Sequence, residues 1–288
     1  VSAGVLYFDL ETYRTRDEQV IESIRAEVAK KKPAKSWTKA ETAAFLEPGA
    51  FEARLAAELS STAKDPGLAE ILCIAVAFDD GEPQSISAMG EGRSEAQALE
   101  AFVGLVQEHG SEETVWCAHN AEGFDLRVLL NRARRHRIAP GPMFPRFYRG
   151  RWFGTRIADT MLMVPSSSGA NTISLVDACV AMGLPAPKTA VALEDGRALC
   201  GALVGHAFET GQHEAILRYC VEDIQALRRL HQVCTFGGTW GTWAADSALE
   251  EDLDSILGTP LQPQTKLRMV LEHLATTGRI PARYATVK

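Results

Sequence analysis

Two carboxylates stand two residues apart, Asp9 and Glu11, where the apolar run Gly4 to Leu10 (GVLYFDL) gives way to polar chain. A run this short and rich in Val, Leu, Tyr and Phe reads as a buried strand, which places both acids at its end. Side chains alternate along a strand with period two, so Asp9 and Glu11 point to one face and can share one ion. The spacing alone carries little, because Asp80-Gly81-Glu82 repeats it inside a hairpin turn. What sets the first pair apart is an apolar strand before it and no Lys or Arg until Arg14. Asp125 follows His119-Asn120-Ala121-Glu122-Gly123-Phe124 near the start of a helix, where the helix dipole by itself favours an acid. Asp223 lies four residues after Tyr219, which puts phenol and carboxylate on one helix face. Tyr13 and Asp17 share that spacing in a segment with no other sign of a site.

The elements that must position these acids can be read in order. Ile71 to Phe78 and Gln84 to Met89 flank Asp79-Asp80-Gly81 and read as antiparallel strands after the first. Ser94 to His109 has a helical apolar stripe, and Thr114 to Cys117 is a short strand. Phe124 to Ile138 is helical, Arg156 to Ala158 leads as a last strand into Asp159, and Ile173 to Met182 and Glu214 to Val233 are helices. Three antiparallel strands followed by parallel ones alternating with helices predict an α/β sheet of mixed direction. Residues 14–65, with helical composition in Asp17 to Lys31 and Lys39 to Ser60, read as a helical insertion. After residue 235 a Gly/Thr/Trp-rich link precedes two short helices, Ser247 to Leu257 and Thr265 to Thr277, so 236–288 reads as a helical extension in which Trp240 and Trp243 pack.

With 288 residues, 46% hydrophobic and 23% charged, the chain can bury a core, which excludes a disordered tail or a disulfide miniprotein. No stretch approaches the roughly 20 apolar residues of a membrane span, and no signal segment is evident, so no membrane association is expected. Six cysteines without a C-x-x-C pair suit a reducing cytoplasm rather than zinc, and Cys73 and Cys117 lie inside apolar runs where a thiol packs as a small hydrophobe. The net charge is −7, yet Leu126 to Arg156 holds nine Arg and no Asp or Glu, leaving −16 on the rest. One basic face on an acidic body is the expected electrostatic shape, able to guide a polyanion to one place.

Taken together, Tyr7-Phe8-Asp9-Leu10-Glu11-Thr12, then Asn120-Ala121-Glu122-Gly123-Phe124-Asp125-Leu126 with Arg132-Ala133, then Tyr219-Cys220-Val221-Glu222-Asp223, make a pattern. The chain resembles the DEDD superfamily of 3′→5′ exonucleases in its tyrosine subclass, closest to stand-alone exonucleases related to the proofreading domain of B-family DNA polymerases. The resemblance covers about Leu6 to Val233, with Asp159-Thr160 and Ser174-Leu175 through Gly183 to Lys188 as further similar stretches. It departs in two places: Arg218 stands where the histidine subclass has His, leaving the role to Tyr219, and Ala118-His119 replaces an aromatic-then-Asn pair, which leaves the part of His119 open.

The resemblance implies a ribonuclease H-like sheet forming an exonuclease domain over 1–235. It implies two divalent ions, Mg²⁺ or Mn²⁺, on Asp9, Glu11, Asp125 and Asp223, with Tyr219 orienting the attacking water. Four carboxylates without Cys or His are the ligand set that hard ions call for. The expected partner is a single-stranded DNA 3′ end, clamped by the backbone around Leu10 with Thr12, Asn120 and Phe124, its phosphates tracked by Arg149, Arg151 and Lys188. RNA 3′ ends are the alternative substrate, and a non-catalytic end-binding subunit the alternative function; protein partners are unknown. The residues after Val233 are too few for a polymerase palm.

Overall fold

The computed structural model describes residues 4–153, 156–164, 172–187 and 191–236. In chain order these form β1 (Val5–Tyr13), α1 (Glu18–Lys30), α2 (Lys39–Leu46), α3 (Ala50–Ser61), a 3₁₀ turn (Thr62–Lys64), β2 (Glu70–Phe78), β3 (Gln84–Ser87), α4 (Glu95–His109) and β4 (Val115–Ala118). A π-turn (Ala121–Asp125) then runs into α5 (Leu126–His136), followed by β5 (Arg146–Tyr148), β6 (Arg151–Phe153), β7 (Arg156–Asp159), α6 (Thr160–Met163), α7 (Leu175–Ala181), α8 (Val204–Glu209) and α9 (His213–Cys234). These lie almost wholly in the first of two compact units, Val1–Cys234 and Thr235–Lys288. The helices expected at 247–257 and 265–277, with Trp240 and Trp243, lie outside the described residues, as does Lys188.

Five strands make a mixed sheet in the order β3-β2-β1-β4-β7. β1, β2 and β3 pair antiparallel, whereas β4 runs parallel to both β1 and β7. This is the ribonuclease H-like arrangement. β1 divides the core by alternation: Leu6, Phe8 and Leu10 enter a cluster with Trp116, Phe102, Leu126 and Leu129, while Tyr7 and Tyr13 enter another with Tyr219, Cys220 and Ile224 of α9. Asp9 and Glu11 share the second face, so they look toward α9. β2 is buried from Glu70 to Ala77, as a central strand covered on both faces must be.

Three expectations need correction. The first strand does not stop at Leu10 but continues to Tyr13, because after a bulge between Glu11 and Thr12 the chain keeps pairing, Thr12 with Ile71 and Tyr13 with Glu70. The two acids therefore lie within the strand. The stretch Lys39 to Ser60 is two helices, since Pro48 cannot continue α2 and Gly49 turns left-handed at φ 87°. The segment between α5 and β7 also holds a hairpin, β5–β6, that periodicity did not reveal. Among the described residues, no helix is long and apolar enough to cross a membrane.

A buried ionic cluster joins β2, α4 and α5. Glu95, at the first turn of α4 behind the Ser94 cap, accepts hydrogen bonds from the Ile71 amide (2.7 Å), from Nε and Nη2 of Arg132 and from His136 Nε2 (2.7 Å). Burial raises the Glu95 pKa, but Arg132, the Ile71 amide and His136 outweigh it and hold the carboxyl below its ordinary value. Glu95→Gln keeps the volume and leaves the Arg132 charge facing a neutral amide. We expect a loss of about 3 kcal/mol, the scale of breaking one partner of a buried pair. Urea unfolding should register it as a lower midpoint at unchanged m-value; a shift equivalent to under about 0.5 kcal/mol would mean the cluster does not hold these elements together.

Candidate metal centre

β4 is registered against β1 only from Val5 to Tyr7, so beyond Tyr7 that edge of β1 is left to the turn following β4. Into this space the π-turn delivers Asp125. Asn120 opens the turn in the left-handed region (φ 71°), which asparagine tolerates better than most residues. A Cβ at Gly123 would lie 2.2 Å from the Asn120 side-chain oxygen, so any larger residue there would displace the Asn120 side chain. Asp159, at the end of β7, accepts from the amides of Asn120 (2.9 Å), Glu122 (3.2 Å) and Met161 (3.1 Å), holding the turn and starting α6 at once. The acids thus collect at the carboxyl ends of the parallel strands, where open α/β sheets place their sites.

The geometry brings together more than the acids. Carboxylate oxygens of Asp9 and Glu11 and the Sγ of Cys220 all lie within 4.8 Å of one another, an arrangement that could hold a metal ion. The Cys220 thiol sits 3.6 Å from both the carbonyl oxygen and Oδ2 of Asp9. Burial foremost, then Cys73 and the charges of Asp9 and Glu11, push the Cys220 pKa well up, so the thiol stays protonated and donates. The sequence pattern assigned Cys220 no role; its place between Tyr219 and Asp223 was the available signal. Asp125 is buried beside the pair. Burial first, then Asp9 and Asp159, drive its pKa well above the ordinary carboxylate range, against hydrogen bonds from backbone amides that include Leu10. Tyr219 and Asp223, both buried, project from α9, the helix that packs on β1 and β2.

The remaining predicted residues make the following contacts within the fold. The Leu10 side chain is core, and its amide serves Asp125. Thr12 donates to the Ala63 carbonyl (2.8 Å), tying β1 to the insertion, and Phe124 is half-buried against the core. His119 is a bridging structural residue, Nδ1 3.0 Å from Thr160 Oγ1 and Nε2 2.7 Å from the Ile173 carbonyl. The single basic strip also needs correction. Arg132 is buried on Glu95, Arg135 pairs with Asp17 of the insertion and Arg156 with Glu113, because α5 and β7 turn those positions onto neighbouring acids. Arg146, Arg149 and Arg151 are exposed on the hairpin. A cavity of about 470 Å³, invisible in sequence, opens beside Thr12 and Arg14 between α3 and α8.

Fold and acid cluster together define a ribonuclease H-like α/β protein with a candidate cation site at the ends of its parallel strands. The chain is similar in fold to the family B DNA polymerase from the hyperthermophilic archaeon Pyrobaculum calidifontis, with a TM-score of 0.51 at 17% sequence identity; the match covers 96% of this chain and 29% of the polymerase. No family model and no curated protein sequence matches the chain.

The raised Asp125 pKa gives a signed prediction. Between an ordinary carboxylate value, about 3.9, and the raised one, the folded state binds more protons than the unfolded, so metal-free stability falls as pH rises through that window. Asp125→Asn removes the ionisation, and the metal-free variant should melt above the parent at neutral pH with a flatter dependence on pH. Calorimetry from about pH 4 to pH 8 tests this; an unchanged slope in the variant would contradict the assigned origin of the shift.

Proposed function

We propose that the chain is a metal-dependent 3′→5′ exonuclease that hydrolyses single-stranded DNA from its 3′ end and releases nucleoside 5′-monophosphates. The observation that carries this reading is the convergence of Asp9, Glu11 and the charge-sensitive Asp125 at one end of β1. The likeness to a DNA polymerase favours DNA over RNA as the substrate. Residues 1–235 would form the catalytic domain and 236–288 an extension, working in the cytoplasm, where thiols such as Cys220 stay reduced.

The donor set suits hard divalent ions, since its charged atoms are carboxylate oxygens and the neighbouring thiol is neutral. Asp9, Glu11, Asp125 and Asp223 would hold two such ions, Mg²⁺ or Mn²⁺, which when bound supply an ionised water near neutral pH and offset charge on the phosphoryl oxygens. Asp9 and Glu11 are held by the sheet, so their spacing is fixed before substrate arrives, which limits the reorganisation demanded in the transition state. Tyr219, carried on α9, orients the attacking water through its phenol. Thr12 and Phe124 would contribute to the clamp on the terminal nucleotide.

End-labelled single-stranded DNA, duplex DNA and RNA, each with and without Mn²⁺, test the proposal. The parent should shorten single-stranded DNA stepwise from the 3′ end only with metal, and Asp9→Ala and Asp223→Asn should lose at least about 10³-fold in rate, as members of a unit do. Asp9→Ala should still bind the strand. Millimolar Mg²⁺ or Mn²⁺ should raise the melting temperature of the parent and not of Asp9→Ala. Undiminished hydrolysis by both variants, or a parent that ignores metal in every assay, would refute the reading.

A further inference from the structure

The β5–β6 hairpin presents two unlike faces. Its register opposes Arg146 to Phe153, Phe147 to Trp152 and Tyr148 to Arg151. Directly opposed residues share a face, so Phe147 and Trp152 form one side and Arg146, Tyr148, Arg151 and Phe153 the other. The inner pair is half-buried and fixed: the rings lie 4.8 Å apart, Arg127 sits over Phe147, and Trp152 Nε1 donates to the Glu122 carbonyl. Glu122 belongs to the π-turn that delivers Asp125, so the hairpin is pinned to the wall of the candidate metal centre. The outer four are all exposed, Tyr148 at 63% and Phe153 at 49%.

Among the described residues, nothing in the packing of the hairpin requires two large rings on its solvent side. Each ring is opposite an arginine, and Arg149 at the turn places its guanidinium 5.3 Å from the Tyr148 ring. Arg149 (φ 50°) and Gly150 (φ 81°) are both left-handed, as a two-residue hairpin turn demands, yet the first of these positions ordinarily takes Asn, Asp or Gly. No acid occurs from Leu126 to Arg156. Alternating rings and guanidiniums without acids suit a polyanion with exposed π-faces. An unpaired strand offers both; a duplex hides its base faces, and an acidic peptide would engage the arginines and leave the rings wet.

We propose that the outer face of this hairpin is a stacking platform for single-stranded nucleic acid, with bases lying on Tyr148 and Phe153 and phosphates held by Arg146 and Arg151. Exonuclease action, on which only the polarity of the strand rests, would then draw substrate from a platform joined to the Asp125 turn.

Full-length protein in EDTA, titrated into a labelled single-stranded oligonucleotide, isolates binding from hydrolysis. Tyr148→Ala/Phe153→Ala should weaken single-strand binding by about 10-fold or more while leaving the salt dependence unchanged, because no phosphate contact is removed. Tyr148→Trp/Phe153→Trp should bind as the parent does, and Tyr148→Leu/Phe153→Leu, which keeps apolar bulk without a ring, should not. Binding of duplex DNA and of a poly-glutamate peptide should be unmoved by all three. A parent that fails to bind single strands, an alanine variant that binds them normally, or an equal loss for duplex or peptide would overturn the platform. Mn²⁺-dependent cleavage of a dinucleotide separates the two readings. If no protein cleaves yet binding follows the expected order, the platform stands and the exonuclease reading falls; cleavage with unmoved binding has the opposite meaning.

Discussion

Like charges brought out of water repel, and this fold is organised around making several of them neighbours. Glu11, Asp125, Asp159 and Asp223 are buried and Asp9 partly so, and they come from two strands, one turn and one helix. No local segment could hold such a group against its own repulsion. β1 therefore runs through the middle of the sheet, paired on both sides up to Tyr7 and on one side beyond, so that the backbone of Asp9 and Glu11 is held by β2 while their β4-side edge is left to the turn. The turn bearing Asp125 closes that edge and is itself tied down by Asp159.

A second buried acid provides an internal comparison. Glu95 is as deeply placed as Glu11, but Arg132 and His136 face it and its pKa falls. Asp125 meets other carboxylates and its pKa rises. Burial has the same sign for both; the neighbours decide the outcome. An acid given its own cation is complete within the fold, and one crowded by acids is completed only by protonation or by something added. That contrast makes the first a fastener and the second a candidate for chemistry.

Much of this was legible in sequence. Period-two alternation through Leu6, Phe8 and Leu10 fixes which face Asp9 and Glu11 share, and the three antiparallel then parallel strands follow from turn signals and helical stripes. What escaped depends on partners distant in the chain. Whether β1 ends at Leu10 or Tyr13 is decided by Ile71 and Glu70, not by residues within the strand. Cys220 is an apolar packer by type and a neighbour of Asp9 only because α9 lies across β1. The cavity beside Thr12 exists where the insertion and α8 approach the same strand, which no one of those segments announces.

The arginines carry the same lesson to the surface. Nine cations in thirty-one residues look like one basic stripe when charge is summed along the chain. Folding sorts them: Arg132, Arg135 and Arg156 are committed to Glu95, Asp17 and Glu113, and Arg127 to the Glu122 carbonyl. Those contacts fasten α5 to α4, the insertion and the π-turn, so their charge does structural service close to home. Arg134 and Arg137 are exposed at the end of α5, and Arg146, Arg149 and Arg151 are exposed on a hairpin whose inner rings anchor it and whose outer rings do not. Field strength at a distance depends on uncompensated charge, not on counted arginines. The β5–β6 ribbon therefore presents uncompensated cations beside exposed rings, next to the turn that bears Asp125.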